Sequence, residues 1–249
     1  MEHQNPEQSF RVGDVIAHSF SILFRNIVPF GVLSAIVLSP SFLMTVYVGD
    51  PLDSLAAGIE MGDRAVLEGL SSILTVVLSL AVTGALVYGA SRDLSGHKVG
   101  IGECLGRGLA TLLPVLGVLI LASLGVGIAS LLLIVPGIIL YVMWWVALPV
   151  AVIERPGVIA SLKRSAELTK GKRWSVFGVL LITVLISMVL NGVATFGGLV
   201  AGYLGMAILV WIVQSFTAAF GAIVVAVGYY RLRGEKEGLG VESIASVFD

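Results

Sequence analysis

Charge is scarce in this sequence, and cysteine and histidine are scarcer. Asp, Glu, Lys and Arg make up 12% of the 249 residues, where a soluble domain of this size carries about a quarter. A single cysteine, Cys104, excludes an intramolecular disulfide framework and a CxxC redox pair. It reads as a small buried or interfacial residue. The three histidines, His3, His18 and His97, have no partner at metal-ligand spacing. There is no P-loop, dinucleotide fingerprint or G-x-S-x-G. Phosphodiester hydrolysis needs carboxylates and His around a metal or a developing anion, and no such constellation is present. No catalytic residue, metal or cofactor is therefore expected, nor a nucleic-acid partner. The first ten residues are polar and lack a cleavable signal pattern, so the first apolar run is expected to act as an uncleaved anchor.

Apolar residues fill the space that charge leaves. They make up 57% of the chain, and the mean hydropathy is +1.01. Such a chain needs lipid as its solvent. Four long stretches carry no charge: 26–49, 69–91, 108–153 and 174–230, of 24, 23, 46 and 57 residues. One span takes about 20 residues, so the two longer stretches each hold two spans and a tight turn. Pro136-Gly137 breaks the first of them, and a glycine cluster from Gly192 to Gly205 breaks the second. The expected spans are 27–48, 69–90, 110–132, 135–153, 175–197 and 204–230. Pro29 sits in a first turn, where its missing N–H costs little, and Pro40 is expected to kink its helix. Three flanking segments have helical apolar spacing among polar residues: 12–25, 99–108 and 157–169. They are too polar to span and suit the interface plane. The fold class is thus an all-α integral membrane protein of six transmembrane helices with interfacial amphipathic helices on the cytoplasmic side.

Fourteen of the fifteen Lys and Arg residues fall at the N-terminal segment, the second and fourth connections and the C-terminal tail; only Arg64 falls elsewhere. This asymmetry places both termini in the cytoplasm. The fourth connection is the richest. Its Lys163, Arg164, Lys170, Lys172 and Arg173, next to Trp174, read either as a topology signal or as a site for anionic headgroups, each base attracting such lipid by about 1 kcal/mol. Glu154 closes the fourth span on the same side, within reach of Arg164 or Arg173. The first extracytoplasmic loop carries Asp50, Asp53, Glu60 and Asp63, a solvated cap or a cation site. The spans hold no acid or base of the kind ion-coupled pumps carry. Asn191 and Gln214 are their strongest polar side chains. They read as interhelical hydrogen bonders worth about 0.6 kcal/mol each, or as the lining of a polar cleft with Ser187, Thr195, Ser215 and Thr217.

Residues 12–33, 99–119 and 156–180 share a layout. Each runs as an amphipathic stretch and enters a span through Gly-Val-Leu, preceded by Phe30, Leu116 or Phe177. A two-helix hairpin follows each one. Three parallel repeats about a pseudo-threefold axis are one reading; coincidence within similar composition is the other.

Residues 134–154 (IVPGIILYVMWWVALPVAVIE) and 160–178 (ASLKRSAELTKGKRWSVFG) carry a family likeness. They resemble the membrane domain associated with glycerophosphoryl diester phosphodiesterases and the related YciC-like bacterial and archaeal membrane proteins. The matching positions are Pro136, Gly137, Glu154, Ser165, Leu168, Thr169, Gly171 and Trp174. The resemblance implies a multi-span protein of the cytoplasmic (inner) membrane. It does not imply the phosphodiesterase, which in fused members belongs to a separate soluble barrel that this chain is expected to lack. The expected function is a non-enzymatic one, binding or moving a lipid or other amphiphile, with membrane lipids, anionic ones included, as partners. The alternatives are a structural module that binds another membrane protein, and a small-solute permease.

Overall fold

In the computed structural model, residues 10–48, 61–94, 96 and 100–237 are described, and their regular structure is entirely helical. Among the described residues six helices are long and apolar enough to cross a membrane, as a multi-pass membrane protein requires.

Helix α1 (Val12–Arg25) buries Val15, Ser19, Ile22 and Leu23, a stripe at helical spacing. It stops at Asn26, whose side chain donates both to the Ile22 carbonyl and to Asp93. Helix α2 follows (Ile27–Val48) with Pro40 inside it. Proline cannot donate to the carbonyl four residues back; here that carbonyl, Ile36, accepts instead from the Ser39 hydroxyl at 2.7 Å. Helix α3 (Met61–Leu94) is 34 residues long, some 50 Å at 1.5 Å per residue. It therefore exceeds the expected span 69–90 at both ends and needs tilt or protrusion. The acidic residues Asp50, Asp53 and Glu60, with His3 and His97, lie outside the described residues.

Helix α4 (Ile101–Ala110) leads into α5 (Leu112–Leu132). Only Leu133 is non-helical before α6 (Ile134–Met143) begins, so Pro136 lies in a first turn. Gly137 faces α5 so closely that a Cβ there would fall 1.9 Å from Ser130 Oγ. The fourth span does not continue as a regular helix. It loosens at Trp144–Val146, makes one turn over Ala147–Pro149 and ends as a π-helix over Val150–Glu154. Helix α7 (Val158–Thr169) comes next.

The last helical stretch runs from Arg173 to Glu237 and is interrupted at Gly202, with φ 76° and ψ 176°. That backbone region is essentially reserved for glycine. The chain doubles back there. A Cβ on Gly198 would lie 2.6 Å from Met206 Cα, and Lys172 pairs with Glu235 at 2.6 Å. The two arms, α8 (Arg173–Gly198) and α9 (Val200–Glu237), are separate candidate spans.

The three hairpins α2–α3, α5–α6 and α8–α9 present their open ends together, where α1, α4 and α7 and most of the described charges also sit. The core is densest towards this basic end. Phe30, Ala85, Leu86, Val115, Val146, Val150, Val176, Val179, Phe220, Ile223 and Tyr229 are all buried. At the opposite end Leu131 is 88% and Val200 92% exposed. Lipid tails are as apolar as these side chains, so in a bilayer burial does not drive helix association and close packing must. The molecule is packed tightly at one end and splays at the other.

Candidate functional site

The basic end is built around α7. Its buried face, Ser161, Leu162, Ser165, Leu168 and Thr169, repeats at three and four residues. The opposite face puts Lys163, Glu167 and Lys170 in the open. Two of the buried hydroxyls serve the broken fourth span. The Met143 carbonyl, which loses its helical donor where α6 ends, accepts from Ser165 Oγ at 2.8 Å, while Thr169 Oγ1 lies 3.3 Å from it and 3.0 Å from the Ser165 carbonyl of its own helix. Without such donors a buried carbonyl costs about 1–3 kcal/mol. Gly171, at φ +91°, then turns the chain towards α8.

A closed ring of five side chains fastens the same corner. Tyr229 Oη donates to Glu154 Oε1 at 2.7 Å. Arg233 Nη1 donates to Tyr229 Oη at 3.1 Å, and Arg233 Nε to Glu237 Oε2 at 2.8 Å. Arg164 completes the ring, donating to Glu237 and, through Nε, to Glu154 Oε2 at 3.3 Å. Two acids and two bases balance in charge. Tyr229 is fully buried, so the ring joins the end of the fourth span, α7 and α9 at the core boundary. Burial works against the Arg164 charge, but Glu154 and then Glu237 outweigh it and raise its pKa.

The corner formed by α1, α3 and α4 has its own polar cluster. Arg25 forks onto Asp93, with Nε at 3.1 Å and a second bond through Nη2. Tyr88 donates to Glu103 at 2.6 Å, and the Arg107 guanidinium lies 5.5 Å over the Tyr88 ring. Cys104 is buried beside this cluster, and burial pushes its thiol up to about 11. The thiol is inert packing here.

The sequence-predicted basic residues divide into two sets. Arg164 and Lys172 are held in ion pairs with Glu154, Glu237 and Glu235. Of the two partners expected for Glu154, the structure uses Arg164. Lys163, Lys170 and Arg173 are exposed, and Trp174, at the head of α8, is 86% exposed. Tyr229, Arg233, Glu235 and Glu237 were missed by sequence reasoning. The regular four-residue spacing of Tyr229, Arg233 and Glu237 marks one helix face and was the available signal.

The hydrogen bonds at the polar residues of the spans are local. Asn191 donates to the Ser187 carbonyl, Thr195 to that of Asn191, Ser215 to that of Trp211 and Thr217 to that of Gln214. Each bond lies within one helix. Of these residues Gln214 lines a groove, about 270 Å³ in volume, between α2 and α9. Among the described residues no cluster of three or more His, Cys, Asp and Glu is arranged to hold a metal.

No family profile, curated protein or solved structure matches this chain.

Proposed function

We propose that this is a non-enzymatic, multi-pass protein of a bacterial or archaeal cytoplasmic membrane that binds or moves a lipid or other amphiphile. The carrying observation is the division of the basic residues around α7. Lys163, Lys170 and Arg173 remain exposed beside the exposed Trp174, while Arg164 and Lys172 are neutralised by internal partners. Exposed bases at the mouth of a span attract anionic headgroups, and an exposed tryptophan favours headgroup depth. The charge asymmetry supports a cytoplasmic location for this end and for both termini. The resemblance of residues 134–154 and 160–178 to the phosphodiesterase-associated membrane domain supports the choice of membrane.

In this reading α1, α4 and α7 lie in the interface as a collar. Each precedes a hairpin, and each rests on the return helix of the hairpin before it, taken cyclically. The ring of Phe20 of α1 lies 4.4 Å from that of Phe220 of α9, tilted by 32°. A Cβ on Gly108 of α4 would fall 2.1 Å from the Ala81 carbonyl oxygen of α3. Ser165 of α7 bonds the Met143 carbonyl at the end of α6. The glycines of the shared tetrapeptide follow the same cycle in two cases. A Cβ on Gly117 would meet Val158, the first residue of α7, at 2.7 Å, and one on Gly178 would meet Val12, the first of α1, at 3.4 Å. Gly31 has no such neighbour among the described side chains. These relations support three parallel repeats about an axis along the membrane normal.

The test is native mass spectrometry of the protein released from mild detergent, with lipid identification. Wild type is expected to retain anionic over zwitterionic lipid, and the Lys163→Ala/Lys170→Ala/Arg173→Ala variant to lose that preference. Equal retention of both lipids by wild type would refute the headgroup reading. A stoichiometric protein partner in place of lipid would favour the structural module instead.

A further inference from the structure

Three grooves among the described residues differ in chemistry. One between α2 and α3 and another among α5, α6 and α8 are lined almost wholly by apolar side chains. The groove between α2 and α9 is mixed: Phe42, Tyr203 and Trp211 face it together with Ser41, Thr45 and Gln214. The other polar groups at this groove are satisfied. Ser41 bonds Thr75 at 2.7 Å, Thr45 the Ser41 carbonyl at 2.9 Å, and Tyr203 the Thr45 carbonyl at 3.1 Å. Two groups on α9 are not. Among the described residues the Trp211 indole N–H has no acceptor, and the exposed Gln214 is bonded through its main-chain carbonyl, which accepts from Thr217, rather than through its side chain. The two residues are three apart and so share a face. Gln214 lies about 18 Å along α9 from the Gly202 reversal, which is near the middle of a hydrocarbon layer of about 30 Å. No water is available at that depth to satisfy an amide, and a polar group left unpaired there is costly.

We infer that the α2–α9 groove binds an uncharged amphiphile, placing a carbonyl or hydroxyl of the ligand against the Gln214 amide and its chain along Phe42, Met206 and Val210. Among the described residues no charged side chain lines the groove, so a charged headgroup finds no partner among them, and its depth excludes a headgroup resting at the surface. The ring of Trp211, 5.0 Å from that of Phe42, forms an aromatic wall for the chain. This site deepens the amphiphile reading and rests on it, yet it uses none of the residues proposed to meet anionic headgroups.

The experiment uses full-length protein in phosphatidylcholine nanodiscs and two photoreactive probes with matched acyl chains, a diacylglycerol and a hydrocarbon without oxygen. The diacylglycerol is expected to label peptides containing residues 38–45 and 203–214. Gln214→Leu should lower that labelling about tenfold, and Gln214→Asn should restore part of it. Gln214 is exposed, so neither change disturbs the core. Labelling that is equal for the two probes, or unchanged in Gln214→Leu, overturns the proposal. Anionic-lipid retention measured on the same variant separates the two ideas. Intact retention with unchanged diacylglycerol labelling rejects the groove alone, and loss of both preferences in wild type rejects the amphiphile reading with it.

Discussion

Tyr229 Oη donates to Glu154 Oε1 at 2.7 Å, joining positions 75 apart in sequence. The bond sits where a π-helical end, an amphipathic helix and the last span meet. Arg164 and Arg233 approach the same two side chains from either side. Because Tyr229 is fully buried, its hydroxyl has no water to turn to. The ring is therefore a fastener: each member leaves another unsatisfied when it is removed.

Tyr229→Phe should destabilise the protein by about 1 kcal/mol, the net worth of one hydrogen bond. Glu154→Leu should cost more, about 2–3 kcal/mol, because it strands the Tyr229 hydroxyl and removes one of the two Arg164 partners. Unfolding in mixed micelles measures both. The double variant should cost less than the two single effects added together; strict additivity would mean that the two groups act independently.

The Met143 carbonyl gives a second handle. Ser165→Ala combined with Thr169→Val removes both of its side-chain donors while nearly preserving shape. A loss of about 1–3 kcal/mol is expected, together with faster hydrogen exchange across Trp144–Glu154. Exchange confined to α7 would show that the hydroxyls serve their own helix instead.

Gly202 holds a conformation that side chains rarely tolerate. Gly202→Ala should cost about 1–3 kcal/mol and loosen the α8–α9 reversal. Gly221, in regular helix with open space around it, is the control: Gly221→Ala should be neutral or stabilising. Comparing their melting temperatures in one detergent tests the assignment.

His18 on α1 is held below the usual histidine value. Partial desolvation is the largest cause; the Arg231 and Arg25 charges add to it, and Asp93 opposes it. The unfolded chain then takes up the proton more readily than the folded one. Stability should be full above the ordinary value of 6.5 and decline as pH falls through that value towards the lower folded one. In detergent, the drop in melting temperature between about pH 7.5 and 5.5 should be smaller in His18→Gln than in wild type. Equal drops would assign the acid sensitivity to other groups.

Six apolar crossings were legible from composition because the constraint acts locally. Every charge in a hydrocarbon layer is costly wherever its neighbours lie, so charge-free length alone counts the helices. Proline at a first turn and glycine at a reversal are equally local, as Pro136 and Gly202 illustrate. The boundaries of α3 were less legible, since this helix outruns the apolar stretch that carries it across.

Partnership was decided by the tertiary structure. Sequence spacing placed Ser165 and Thr169 on one face of α7, but only packing set that face against the broken end of α6. Lys163 and Arg164 are adjacent and chemically alike, yet one is exposed and the other closes an internal ring, because a turn of 100° per residue sends neighbours to different surroundings. Tyr229, Arg233 and Glu237 form a visible stripe, but a stripe does not name what it faces. Periodicity is a property of one helix; the contacts that make a site belong to two or three.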